Sequence, residues 1–236
     1  METHKLYRDN PYLTECDAQV VATNNQTIEL DQTVFYGEAG GQVGDMGSVA
    51  SLKIVDAQHM GGRLLLRFDA PTIHVGTRIV HIADTNPAGL AVGDAVKVTI
   101  DWERRYKIMR MHSAAHLVFY YALKYCGPQG SNKLVGSLKG CRIAEDNARF
   151  DFPALGKLDQ SDIDRIQEAS NEMVAKRFSI DYRVDEAEPD LRYWMCGEIE
   201  MYCGGTHVRD TSEIGEISVK RRSQGRGLER IYLELV

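Results

Sequence analysis

DWERRYKIMRMHSAAHLVFYYALKY, residues 101–125, runs for 25 positions without a glycine or a proline. Apolar residues recur through it at helical spacing (Ile108, Met111, Ala115, Val118, Phe119, Ala122), which predicts one long helix. Cys126, Gly127 and Pro128 supply its stop signal. His112 and His116 stand four apart on this helix, one turn above the other, so both imidazoles can reach a single ion.

The texture differs on either side of that helix. Residues 1–100 read as short strands at 18–22, 53–57, 64–68, 78–82 and 95–100, separated by Gly, Asp, Asn and Pro. Short pieces with frequent turns suggest a small barrel or a folded sheet. After the helix, strand-like pieces lie at 148–152, 178–184, 216–221 and 228–236. A second helix is expected over 161–176, with Ser161 or Asp162 as N-cap. The expected fold is therefore α+β with a boundary near residue 100, dividing the chain into domains 1–100 and 101–236.

Ninety residues beyond the helical histidines comes MYCGGTH, residues 201–207. Cys203 and His207 are again four apart, but Gly204 and Gly205 predict a tight loop in place of a helix. Alone, either pair is a weak signal, since a buried cysteine or a core histidine would explain it. Together they offer three nitrogens and one sulfur, a set suited to tetrahedral zinc. Ser113, Ala114 and Ala115 supply no glutamate between the helical histidines, so the pattern is not that of the usual zinc protease. The remaining histidines (4, 59, 74 and 81) have no ligand spacing and read as surface or strand residues.

Composition narrows the classes. A net charge of −6 argues against a general nucleic-acid coating protein. Five scattered cysteines do not suggest a disulfide framework. No apolar stretch approaches the roughly 20 residues of a membrane span, and METHKLYRDNPYL at 1–13 lacks the pattern of a secretory signal, so the expected address is cytoplasmic. The charge is uneven: residues 1–100 carry 7 basic and 12 acidic side chains, and residues 101–236 carry 21 and 22. Arg104, Arg105, Lys107 and Arg110 cluster before the first histidine, and Lys220, Arg221, Arg222, Arg226 and Arg230 near the end. Either cluster could be a solvated face or a grip on phosphates. FYGEAGGQVGD, residues 35–45, is a dense glycine loop without the lysine of a P-loop; it reads as a bulged hairpin connection or as a close approach to a ligand.

Taken together, these motifs resemble those of the alanyl-tRNA editing proteins called AlaX and the homologous editing domain of alanyl-tRNA synthetase. The resemblance rests on residues 101–116, on CGGTHV at 203–208, on FYGEAGGQ at 35–42 and on Ile214–Ile217 with the basic loop after it. It spans nearly the whole chain and fits the medium-length form. It implies an N-terminal β-barrel domain followed by an α/β two-layer editing domain, with zinc held by His112, His116, Cys203 and His207. The implied activity is hydrolysis of mischarged tRNA(Ala), chiefly Ser-tRNA(Ala) with Gly-tRNA(Ala) as a second substrate. Apart from the resemblance, a monomer with no membrane partner is expected. Gly40, Gly41 and Gln42 would lie close to substrate. Ser113, Ser137 and Thr206 are candidate readers of the serine hydroxyl, and Arg104, Arg105, Arg110, Arg221, Arg222 and Arg226 candidate tRNA contacts. No general base is assigned. Gly37, Ala39, Ala115 and Leu134 depart from the family's pattern and bear on amino-acid specificity. The rival readings are a same-fold hydrolase editing Ser-tRNA(Thr) and a non-catalytic tRNA-binding module with structural zinc.

Overall fold

Val96, Val98 and Ile100 are buried and alternate with Lys97 and Thr99, the period-two pattern of a strand with one face on a core. The same logic builds six strands: β1 (Glu15–Asn24), β2 (Thr27–Leu30), β3 (Gly47–Val49), β4 (Leu52–Met60), β5 (Arg78–Ala83) and β6 (Ala95–Ile100). All neighbours are antiparallel, and they close into a barrel in the order β6-β1-β2-β5-β4-β3. Closure leaves no unpaired edge. Val20, Ile28, Leu30, Phe35, Ile54 and Ile79 fill the interior.

The computed structural model describes residues 2–67, 72–127, 138–153, 156–225 and 228–236. They fall into two compact units. The first comprises Met1–Ala39, Val43–Leu66 and Thr72–Tyr106; the second holds Lys107–Val236 together with Gly40–Gln42 and Arg67. The division thus falls after Tyr106, inside the long helix, and the middle of the glycine loop groups with the later residues.

The long helix, α1, covers Trp102–Cys126. Then follow β7 (Gly140–Ile143), β8 (Ala148–Pro153), α2 (Gln160–Ala175), β9 (Ile180–Val184), β10 (Arg192–Cys196), β11 (Ile199–Tyr202), β12 (Ile217–Gly225) and β13 (Leu228–Leu235). They form one antiparallel sheet in the order β7-β8-β13-β12 and a second, β9-β10-β11. Phe119 of α1 packs edge-on against Phe150 of β8, their ring centroids 5.1 Å apart. The cap of α2 is Asp159, not Ser161 or Asp162. Its carboxylate accepts from the Asp162 N–H at 3.0 Å while Asp162 accepts from the Asp159 N–H at 3.0 Å, a reciprocal capping box. Among the described residues no helix is long and apolar enough to cross a membrane. The expected strand at 64–68 appears as Arg63–Leu65 paired with Ile73–Val75; its last residue, Phe68, lies outside the described residues.

Candidate metal centre

From Met111 to Phe119 α1 is buried on all sides, and His112 (4% exposed) and His116 (9%) project from it one turn apart. β11 delivers the chain to Cys203, and the loop after it turns back to bring in His207 (1% exposed). The turn is tight enough to demand glycine: a Cβ on Gly205 would sit 2.3 Å from His112 Cε1 and 2.7 Å from Gln42 Oε1. One ligand atom from each of His112, His116, Cys203 and His207 then falls within 4.8 Å of every other.

The spacing suits a metal. Tetrahedral zinc with ordinary bond lengths separates sulfur and nitrogen ligands by about 3.6 Å. Cys203 Sγ lies 3.4 Å from His112 Nε2 and 3.6 Å from His207 Nε2. The Nε2 atom of His116 is buried without a hydrogen-bond partner, a costly state that a metal bond would relieve. The opposite nitrogens are all engaged: His112 Nδ1 with Gln42 Oε1 at 2.7 Å, His207 Nδ1 with the Tyr182 hydroxyl at 2.8 Å, and His116 Nδ1 beside Met201 Sδ. This is the outer layer that fixes the ring orientation of metal-binding histidines. Trp194 stacks on His116 with ring centroids 4.7 Å apart and closes that side.

Burial governs the electrostatics. It pushes the His112 imidazole down to about 3 and the Cys203 thiol up to about 12. His116 and His207 are lowered too, first by burial and then by the neighbouring imidazoles. The histidines are therefore neutral, the form in which they ligate. The cluster could hold a metal ion.

The other candidates divide. Gln42 is fully buried and contacts the ligand set through His112; its Nε2 also donates to Thr206 Oγ1 at 2.9 Å, and its Oε1 accepts from the Thr206 N–H at 3.0 Å. Gly41 has φ +88°, and a Cβ there would lie 2.9 Å from Cys141, which makes glycine the fitting residue on both counts. Gly40 is exposed. Ser113 donates its hydroxyl to Met109 O at 2.9 Å and accepts from the Val208 N–H at 3.2 Å, so it serves local backbone. Ser137, Arg226 and Leu134 lie outside the described residues.

One expected tRNA contact is overturned. Arg105 is fully buried in the first unit, where it forms a forked ion pair with buried Asp45 and donates to the carbonyls of Pro11 at 3.0 Å and Val34 at 2.8 Å. It cannot reach a phosphate. The rest of the basic clusters is partly neutralised: Arg221 pairs with Glu229, Lys220 with Glu234 and Arg230 with Asp151. Arg104 donates to Gly44 O and Arg110 to Ile214 O, both half-buried, and Arg222 is exposed. Tyr182, Trp194 and Met201 were missed by sequence reasoning. Trp194 and Met201 lie on the β10–β11 hairpin, whose two-residue Gly197-Glu198 turn was the available signal; no spacing pointed to Tyr182.

Comparison with known proteins accords with this geometry. Residues 7–104 match the family model for class II (A) tRNA synthetases, and residues 195–232 that for the threonyl and alanyl tRNA synthetase second additional domain. The alanyl-tRNA editing protein AlaX-M of Pyrococcus horikoshii is 32% identical over 242 residues, covering 99% of this chain and 98% of its own. AlaX-M of Methanosarcina mazei is 30% identical over 263 residues, covering 99% and 97%. The alanine–tRNA ligase of Ignicoccus hospitalis is 31% identical over 240 residues; the match takes in 92% of this chain, which spans about a quarter (24%) of that enzyme's length.

Proposed function

This chain belongs to the AlaX-M family of alanyl-tRNA editing proteins, and we propose that it is a trans-editing hydrolase that deacylates mischarged tRNA(Ala), chiefly Ser-tRNA(Ala). Water adds at the ester carbonyl and the acyl carbon–oxygen bond to the terminal ribose breaks. The products are the free amino acid and a tRNA with its ribose hydroxyl restored. The observation that carries the reading is the convergence of His112, His116, Cys203 and His207 on one point in a chain of this family.

Three neutral imidazoles and a cysteine sulfur, which gives up its proton on ligation, favour zinc over harder cations. Bound zinc would supply Lewis acidity for the ester carbonyl. The chain's own residues do the rest. His112 and His207 are held by Gln42 and Tyr182, and Trp194 screens His116 from water. Thr206 is fully buried and accepts from Gln42 through its hydroxyl oxygen, so its hydroxyl proton serves a serine side chain that enters the cluster. A site that hydrogen-bonds a substrate hydroxyl rejects the analogue lacking it.

Deacylation of Ser-tRNA(Ala), Gly-tRNA(Ala), Ala-tRNA(Ala) and Ser-tRNA(Thr), with metal content measured on the same preparation, tests the assignment. Rapid loss of serine from tRNA(Ala), spared Ala-tRNA(Ala) and one zinc per chain are expected. Thr206→Val should narrow the serine-over-alanine preference by about tenfold or more; unchanged preference would remove Thr206 as the reader. Because the second family model covers threonyl as well as alanyl synthetases, Ser-tRNA(Thr) is the second reading, and faster turnover of it would displace the first. Full zinc with no turnover would leave a tRNA-binding module.

A further inference from the structure

Gln42 lies 70 residues before His112 and 164 before Thr206, yet it is fully buried between them. Its orientation follows from its partners. The Thr206 N–H can meet only an acceptor, so the oxygen of the Gln42 amide faces that way and its NH2 faces the Thr206 hydroxyl. That oxygen is also 2.7 Å from His112 Nδ1. Since Oε1 has no proton to give, Nδ1 must carry one, and the lone pair of the imidazole is left on Nε2, the atom facing Cys203 Sγ. Gln42 itself is anchored through the backbone: the Ile143 N–H donates to Gly41 O at 2.7 Å, and Gln42 bridges to Ile143.

From this we propose that Gln42 is the positioning residue of the metal centre. It locks His112 in the tautomer that ligates through Nε2, and it clamps the Cys203–His207 loop through Thr206. The inference rests on the metal reading above and assigns Gln42 to the ligands in place of the substrate. Two halves of the cluster, one on α1 and one in the loop, are thereby joined by a single amide.

Two substitutions separate this role from simple packing. In Gln42→Glu the carboxylate still accepts from His112 Nδ1–H and the Thr206 N–H, and the Thr206 hydroxyl can rotate to donate to it. In Gln42→Met the volume is kept but every acceptor is lost. Zinc affinity of the full chain, measured by chelator competition, should fall roughly 10- to 100-fold in Gln42→Met and stay near or above the starting value in Gln42→Glu. The Co(II)-substituted proteins should differ likewise, with the thiolate absorption intact for Glu and altered for Met. Circular dichroism of each variant checks that it is folded. Equal affinity in all three proteins, or equal losses for Glu and Met, overturns the tautomer lock. Failure of the unsubstituted chain to bind zinc would overturn the metal reading and this proposal together, whatever the deacylation assay gave.

Discussion

Arg105 is a fully buried cation whose hydrogen bonds all go to groups of the first unit. Its guanidinium is satisfied by one carboxylate and two carbonyls, and the Asp45 carboxylate also accepts from the Tyr36 N–H at 2.6 Å. Such a pair is costly to break, because the survivor is left charged and dry. Asp45→Ala should therefore destabilise by about 3–5 kcal/mol in urea unfolding. Arg105→Lys should also destabilise, since an ammonium cannot reproduce the fork; a loss under about 1 kcal/mol for both would show the pair to be dispensable. The sequence did contain the signal. Arg105 precedes Ile108, Met109 and His112 by three, four and seven residues, on the inward face, but the neighbouring basic residues made it read as a surface charge. His81 was read as a surface or strand residue, and the strand reading holds. It lies on β5 as a strand residue should, yet it is fully buried between the Thr33 hydroxyl (2.8 Å) and Ile28 O (3.1 Å). Burial holds its imidazole at about 4 against an ordinary 6.5. Below pH 6.5 the unfolded chain binds a proton that the barrel refuses, so this contribution is complete above 6.5 and is lost as pH falls toward 4. The loss is about 3 kcal/mol at most. His81→Gln should flatten the slope of stability between pH 6.5 and 4; an unchanged slope would show that His81 titrates freely.

Elements obey a second set of rules, set by their edges. In the sheet β7-β8-β13-β12, β12 has an open side, and α2 covers it with side chains in place of another strand. Asn171 donates to Ile217 O and accepts from the Ile217 N–H, both at 2.9 Å, and Gln167 accepts from the Val219 N–H at 2.8 Å. These amides do what a neighbouring strand would do and block pairing with another chain. Asn171→Ala leaves both Ile217 groups without their partner and should cost about 1–3 kcal/mol, read as a lower denaturation midpoint at constant m. Asn171→Asp should recover part of that loss, because it keeps the acceptor; equal losses would assign the effect to helix packing. At this scale the sequence was legible wherever periodicity was sustained. α1 is found to within a residue at each end, and β6 at its full length. It was illegible where strands are short and their apolar residues sparse, as in β3 and β7. Nothing local in Asn171 or Gln167 announces an edge 46 or 52 residues away.

For the chain as a whole, the placement of its two tryptophans gives a way to follow the metal. Trp102 belongs to the first unit, where it lies against Tyr12 and Tyr106. Trp194 belongs to the second, fully buried and stacked on His116. Without a cation the cluster leaves His116 Nε2 unsatisfied in an apolar setting, so ion binding should stabilise the folded state by the full linkage term. That term is about 4 kcal/mol when free metal is a thousandfold above its dissociation constant. In Trp102→Phe, where Trp194 is the sole indole, stripping the metal with a chelator should shift the emission and lower the unfolding temperature, and zinc should restore both at one equivalent. In Trp194→Phe the remaining indole belongs to the first unit and has no ring contact with the four donors, and metal should leave its emission unchanged. If Trp102 nevertheless reports the same shift in unfolding temperature, the two units unfold as one cooperative body; if it reports none, they unfold separately. An indole signal from Trp194 that ignores both chelator and zinc would mean that the four donors do not bind an ion, and the hydrolytic reading would lose its centre.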